Sequence, residues 1–304
     1  MLALETHGEV LRLKMARTLF GKALHRVSAY WVDGLLVDAG PPPVAKALVE
    51  LLQPRGVSAV AVTHHHEDHV GAAAEYLSRG VPVYAPAPAL AMLRRGPALP
   101  LYRRLVWGRV EPFAAQPLEE ELVHRGRRYR VISTPGHAHD HVVFYDQERR
   151  WIFGGDLFVH ERVHSLRRIE SVHRHLDSLR KVLALDPAPR RWFCAHAGVL
   201  EDPLPRVRAK IHFWEELEEQ SWALLQQGLP PGAIARRLLG REGLLTMLSF
   251  GDFSKRNLIR DLLRGAPESR SGQGSGPLPE ATEEPSASRR DMLDVPVAGS
   301  TVHP

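Results

Sequence analysis

The chain has 304 residues, 44% of them hydrophobic and 25% charged, which is ordinary for a soluble globular protein with one large domain or two smaller ones and ample length for a core. A formal net charge of +5 permits an anionic substrate without demanding one. No run of eighteen apolar residues indicates a membrane span, Glu5 and Glu9 argue against a secretory head, and a single cysteine excludes an intrachain disulfide, so cytoplasmic residence is expected. Residues 9–17 alternate well enough to be a strand. Two further strands, 27–32 and 35–38, flank Asp33-Gly34, a two-residue hairpin signal. Three prolines then end the strand. Residues 43–53 predict a helix with Val44, Leu48, Val49 and Leu52 on one face.

The apolar run 57–62 reads as a buried strand that stops just before a histidine cluster. Residues 70–79 predict a helix closed by Gly80, and 81–84 the next strand. This alternation indicates a layered α/β architecture. Residues 87–118 are irregular or helical. Strands are predicted at 128–133, 142–146 and 151–154, a helix over 176–185, and a last buried strand at 192–195. After Pro203 and Pro205 the character changes. Residues 206–227 carry Val207, Ile211, Trp214, Leu217 and Leu224 at helical spacing, and two shorter helices follow near 232–239 and 254–264. The expected organisation is a catalytic domain over 1–204, a helical C-terminal module over 205–265 and a disordered tail over 266–304, rich in Ser, Gly, Pro and Glu.

The chain holds 17 histidines, and several cluster. The central segment is Thr63-His64-His65-His66-Glu67-Asp68-His69, where a buried strand gives way to a helix. Such a loop aims several side chains at one point, and imidazole and carboxylate are the usual donors to zinc. A solvated His-rich loop or an expression tag is the plainer reading, but tags sit at termini and this segment is internal. Three more segments follow strand ends: Thr134-Pro135-Gly136-His137, Gly154-Gly155-Asp156 and Ala195-His196-Ala197-Gly198. Small residues beside each His or Asp leave room for close approach. Strand ends on one edge of a layered α/β fold converge on one cleft.

The pattern His64-x-His66-x-Asp68-His69, then His137, Asp156 and His196, resembles the metallo-β-lactamase superfamily over roughly residues 8–200, including the hairpin ending in Asp38-x-Gly40. The resemblance implies a four-layer αββα sandwich with the helical module appended. It implies a first divalent metal on His64, His66 and His137, a second on Asp68, His69 and His196, and Asp156 bridging them. Zinc is the default, and iron or manganese would fit an Asp-bridged pair. Two metals about 3.5–4 Å apart can share a bridging hydroxide as nucleophile. Asp68 would also orient it and shuttle its proton. β-Lactamases of two major subclasses place a Cys among the second-metal ligands. Here the only Cys is Cys194, two residues before His196, and it reads as core. The Asp bridge is similar to glyoxalase II, lactonases and the family's ribonucleases. Residues 134–141 (TPGHAHDH) look most like the β-lactamase-like endoribonuclease group, although that group usually has Pro-Gly-His-Gly where this chain has Ala-His-Ala-Gly.

His141 is a candidate to orient a ligand or touch substrate, against the plainer reading of a structural histidine. Residues 157–175 occupy the expected position of a substrate-lining loop, with Arg162 and His164 as candidate contacts to phosphate or carboxylate, against the plainer reading of a solvated face. Three functions stay open: hydrolysis of a small ester, thioester or lactone; a metal-dependent endoribonuclease gripping RNA; or a non-catalytic metal- or nucleic-acid-binding module. The small-molecule substrate is preferred, because no aromatic stacking platform for RNA is evident. No membrane partner is expected, and a homo-oligomer is left open.

Overall fold

A computed structural model describes residues 1–19 and 22–264; the tail expected over 266–304 lies outside the described residues. Two sheets stack face to face. The first runs in chain order through β1 (Leu2–His7), β2 (Val10–Leu19), β3 (Lys22–Val32), β4 (Leu35–Val37), β5 (Ala59–Ala61), β6 (Val83–Ala85) and β7 (Gln116–Pro117). Its early strands are antiparallel, and β4 to β7 are parallel. Parallel neighbours need crossovers. These carry α1 (Ala45–Leu52), α2 (Glu67–Val70), α3 (Ala73–Ser78), α4 (Leu90–Arg95) and α5 (Leu101–Trp107).

The second sheet comprises β8 (Glu121–His124), β9 (Arg127–Ser133), β10 (Val142–Asp146) and β11 (Trp151–Gly155), then, past the short β12 (Leu166–Arg167) and the helix α6 (Val172–Leu183), β13 (Arg191–Cys194) and β14 (Gly198–Glu201). The helices α7 (Leu204–Gln226), α8 (Pro231–Leu239) and α9 (Leu244–Leu248) follow. β15 (Phe253–Ser254) then pairs back on β12, and α10 (Lys255–Leu262) ends the described chain.

Three apolar cores fill the spaces between four layers. Because side chains alternate across a strand, one strand feeds two cores. In β10, Val142 and Phe144 face the space between the sheets, while Val143 and Tyr145 face the helices. In β5, Ala59 and Ala61 face the other sheet, while Val60 packs under α1 and α3. The expected αββα sandwich is therefore present. The C-terminal helices share a core with β10, β11 and β13, so they complete the fourth layer: Val207, Ile211, Trp214, Leu258 and Ile259 pack against Ile152 and Trp192.

Several expected elements need correction. β1 precedes the first expected strand, and β14 follows the strand taken as last. The helix expected over 70–79 begins at Glu67 and breaks at Gly71. That break has a cause: a Cβ on Gly71 would lie 2.3 Å from backbone atoms of Pro41 and Pro42, and its N–H donates to Gly40 O at 2.7 Å. Among the described residues no helix is long and apolar enough to cross a membrane.

Candidate metal centre and cavity

Four loops leave strand ends at one edge of the sandwich. The loop after β5 carries His64 and His66 and runs into α2, which carries Asp68 and His69. The loop after β9 carries His137, the residue after β11 is Asp156, and His196 follows β13. All seven side chains meet there.

They form two groups sharing one carboxylate: His64, His66, His137 and Asp156, and Asp68, His69, Asp156 and His196. In the first, His66 Nδ1 lies 2.7 Å from His64 Nε2 and 3.0 Å from His137 Nε2, and His137 Nε2 lies 3.1 Å from Asp156 Oδ2. In the second, Asp156 Oδ1 lies 3.4 Å from His69 Nε2 and 3.3 Å from His196 Nε2, and Asp68 Oδ2 is 3.4 Å from His196 Nε2. The two oxygens of Asp156 thus face different groups. Ligands about 2.0–2.1 Å from a tetrahedral zinc lie roughly 3.3 Å apart, which these separations bracket. His69 Nε2 and Asp156 Oδ1 are buried without a hydrogen-bond partner, a costly state that a cation between them would relieve. The donor set and the orphaned atoms fit metal ions.

The outward nitrogens of His64, His69, His137 and His196 are held by the protein, whereas the outward Nε2 of His66 is buried without a partner among the described residues. Asp38 accepts from His69 Nδ1 at 2.8 Å and from the Thr63 N–H at 2.8 Å, and Thr63 Oγ1 contacts His64 Nδ1 at 3.0 Å. Glu170 Oε1 is 3.0 Å from His137 Nδ1, and the Arg26 carbonyl is 2.7 Å from His196 Nδ1. Each such bond fixes the tautomer that leaves the inward nitrogen free to ligate. Burial holds His64 and His66 well below the ordinary imidazole value, in the neutral form a ligand requires. Burial also opposes protonation of His196, but the carboxylates of Asp156 and Asp68 outweigh it and raise its value well above normal. Asp156 is driven well below the carboxylate range; burial works the other way and is overcome by His196, His69 and His137.

A cavity of about 500 Å³ opens on this cluster. His66, Asp68, His137, Asp156 and His196 form one side. Val106, Trp107, Val163, Leu166, Trp214 and Leu245 supply apolar wall, and Arg167 and Lys210 are also part of the lining. A volume of that size suits a small organic ligand.

The expected substrate residues are placed differently. Arg162 and His164 are exposed and not among the cavity walls; the ring of His164 lies instead 5.3 Å from that of Phe213. The loop that carries them does reach the cavity, but its inward face is Val163, Ser165 and Arg167. His141 is fully buried behind the cluster, with Nδ1 2.8 Å from Thr134 Oγ1 and Nε2 accepting the Asp156 N–H at 3.1 Å. It braces Asp156 and is not a cavity wall. Sequence reasoning passed over the bracing roles of Asp38 and Glu170. Their signals were a carboxylate at a strand end and an Arg-x-x-Glu pair, Arg167 and Glu170, beside the site. His65, between two ligands, is held apart by Asp140, whose Oδ1 is 2.7 Å from His65 Nδ1.

A family model described as "Metallo-beta-lactamase superfamily" matches residues 24–196. A Drosophila melanogaster protein called "Beta-lactamase-like protein 2 homolog" is 26% identical over 200 residues, 61% of this chain and 62% of that one. An "Atrochrysone carboxyl ACP thioesterase" of Aspergillus fumigatus is 29% identical over 170 residues, 56% of this chain and 48% of that one. The matched stretch thus spans about half to three-fifths of these relatives. Among solved structures, a metallo-beta-lactamase family protein from Thermus thermophilus superposes with a TM-score of 0.64 at 22% identity, covering 88% of this chain and 96% of that one, a likeness of fold.

Proposed function

Because this chain belongs to the metallo-beta-lactamase superfamily, a superfamily of metallo-hydrolases, we propose that it hydrolyses a small ester, thioester or lactone at a centre for two divalent ions, zinc by default. One observation carries this reading: the two ligand groups share Asp156, and five of their seven residues line an apolar-walled cavity of about 500 Å³. A cavity of that size and lining suits an acyl group better than a chain of nucleotides. The relative named as a thioesterase supports the same class.

His64, His66 and His137 would hold one ion, Asp68, His69 and His196 the other, and Asp156 both. Ions bound there supply a Lewis acid for the substrate oxygen and lower the pKa of water to roughly 7. The protein's own part is positioning. Asp38, Thr63, Glu170 and the Arg26 carbonyl set the imidazole tautomers. Asp68 faces His69 and His196 through Oδ2, which leaves Oδ1 to accept a proton from the attacking water. The apolar walls would pack against the acyl group.

The test is elemental analysis of wild type and Asp156→Ala, with both assayed against a thioester, a lactone and a short RNA. About two metals per chain, fewer in the variant, and turnover of an acyl substrate are expected. Turnover of RNA alone would move the reading to the ribonuclease branch. A protein that takes up no metal on reconstitution would leave a non-catalytic module.

A further inference from the structure

Lys210 breaks the pattern of the helix that carries it. The other large buried positions of α7 are Val207, Ile211, Trp214, Leu217 and Leu224, which is what a face packed on a core requires. Lys210 shares that face, and its side chain is fully buried. Its Nζ lies 4.6 Å from the Trp214 ring centroid and 5.7 Å from that of Phe158. Its one described hydrogen bond is a long one, 3.5 Å to the Leu157 carbonyl, an oxygen already in contact with His175 Nε2 at 2.6 Å. No carboxylate among the described residues pairs with it; Glu170 and Asp156 act on it only through space. The nearby guanidinium of Arg206, over the other ring neighbour Phe158, is itself paired with Glu161.

An ammonium in such a place has three donors and one poor, shared acceptor. Burying it costs several kcal/mol that an apolar side chain would not. Structural cations are paired, as Arg167 is here with Glu170. A buried charge without a partner is the kind of local contradiction that marks a functional position. Lys210 also lines the cavity that opens on the candidate metal ligands, and Val163, Leu166 and Trp214 belong to the same lining. One cavity lining therefore holds both the candidate metal ligands and a buried, lone amine.

We infer that the substrate's acyl group carries a second, anionic end, a carboxylate, and that Lys210 Nζ is the group that binds it. This rests on the acyl-hydrolase reading above and narrows it: the substrate is a half-ester, half-thioester or carboxylated lactone of a dicarboxylic acid. One ammonium between aromatic faces matches a carboxylate. A phosphate would call for more donors than this one amine offers. The arriving carboxylate supplies the partner that the fold withholds.

The full chain, reconstituted with zinc, is titrated calorimetrically with matched acids: butanoate against succinate, hexanoate against adipate, octanoate against suberate. Wild type is compared with Lys210→Met, which keeps the length of the side chain and removes its charge; Lys210→Gln replaces it should the Met variant fail to fold. At least one dicarboxylate is expected to bind wild type tenfold or more tightly than its monocarboxylate. In the variant that preference disappears, while monocarboxylate affinity and metal content stay unchanged. In zinc-loaded protein, a preference retained by the variant, or absent from wild type, overturns the inference, and a variant altered only in thermal midpoint shows a structural lysine. Metal content measured on the same preparations judges the hydrolase reading separately: if no zinc is taken up, either acid has only Lys210 as its anchor, so an affinity for both that falls tenfold in the variant still assigns the carboxylate to the amine, and equal affinities overturn it.

Discussion

Asp38 Oδ2 lies 2.8 Å from His69 Nδ1, on the side of the ring away from the other candidate ligands, while Asp38 Oδ1 accepts the Thr63 N–H at 2.8 Å. Both oxygens are committed as acceptors. Asp38→Asn keeps the shape and, like Asp, tolerates the left-handed backbone at φ 60°, but it turns one acceptor into a donor. With the amide nitrogen towards His69, the ring must carry its proton on Nε2, where a metal should be. Turned the other way, the amide opposes the Thr63 N–H. Metal affinity is expected to fall about 10–100-fold, as for other partners that orient ligating histidines. Competition against a chelator of known affinity measures it, and equal affinities would remove Asp38 from the site's support.

Gly154, one residue inside the end of β11, is required by packing. A Cβ there would lie 2.0 Å from Trp192 Nε1 and 2.3 Å from its Cε2, and the fully buried indole has no room to retreat. Gly154→Ala is expected to destabilise by about 3 kcal/mol through overpacking. Denaturant unfolding at matched metal content would show it. A change within about 0.5 kcal/mol, the range of an ordinary surface substitution, would mean that Trp192 moves freely.

Lys210 makes stability depend on alkaline pH. Burial lowers its value from the ordinary 10.5 to about 8. Between those two values the unfolded chain holds a proton that the folded chain has lost, so stability rises with pH across this window. Below about pH 8 the full cost of the buried charge is present. The rise amounts to about 3 kcal/mol. In Lys210→Met this contribution is absent. The variant should therefore be the more stable protein at pH 7, with the difference closing towards pH 10.5. Unfolding curves of both proteins at several pH values decide it. A constant difference would show that the amine does not titrate in this window.

Position along the chain was legible wherever backbone geometry demands particular residues. Asp33 and Gly34 take φ 48° and 84°, both positive, which Asp-Gly allows, and the hairpin is where that pair predicts it. The same geometry recurs at Arg125 and Gly126, with φ 48° and 81°, and makes the hairpin of β8 and β9. It escaped notice because Arg lacks the turn preference of Asp or Asn. The histidines and aspartates of the candidate metal centre were legible as a group because strand ends on one edge converge whatever the intervening loops do. The cavity was not. Arg162, His164 and Arg167 share one basic loop, and of these only Arg167, which pairs with Phe253 of β15, lines the cavity. Lys210 was equally hidden: a lysine in an amphipathic helix reads as a solvated residue until the neighbouring layers are in place.

That pairing of β12 with β15 has a consequence for the order in which the protein comes into being. Leu166 and Arg167 find their strand partners in Ser254 and Phe253, and Trp214 and Leu245 close the cavity from still other helices. A ribosome that has released the first two hundred residues has delivered every candidate metal ligand and none of these later walls. The residues of the candidate metal centre thus leave the ribosome before those that finish the cavity wall and fill the core beneath the second sheet.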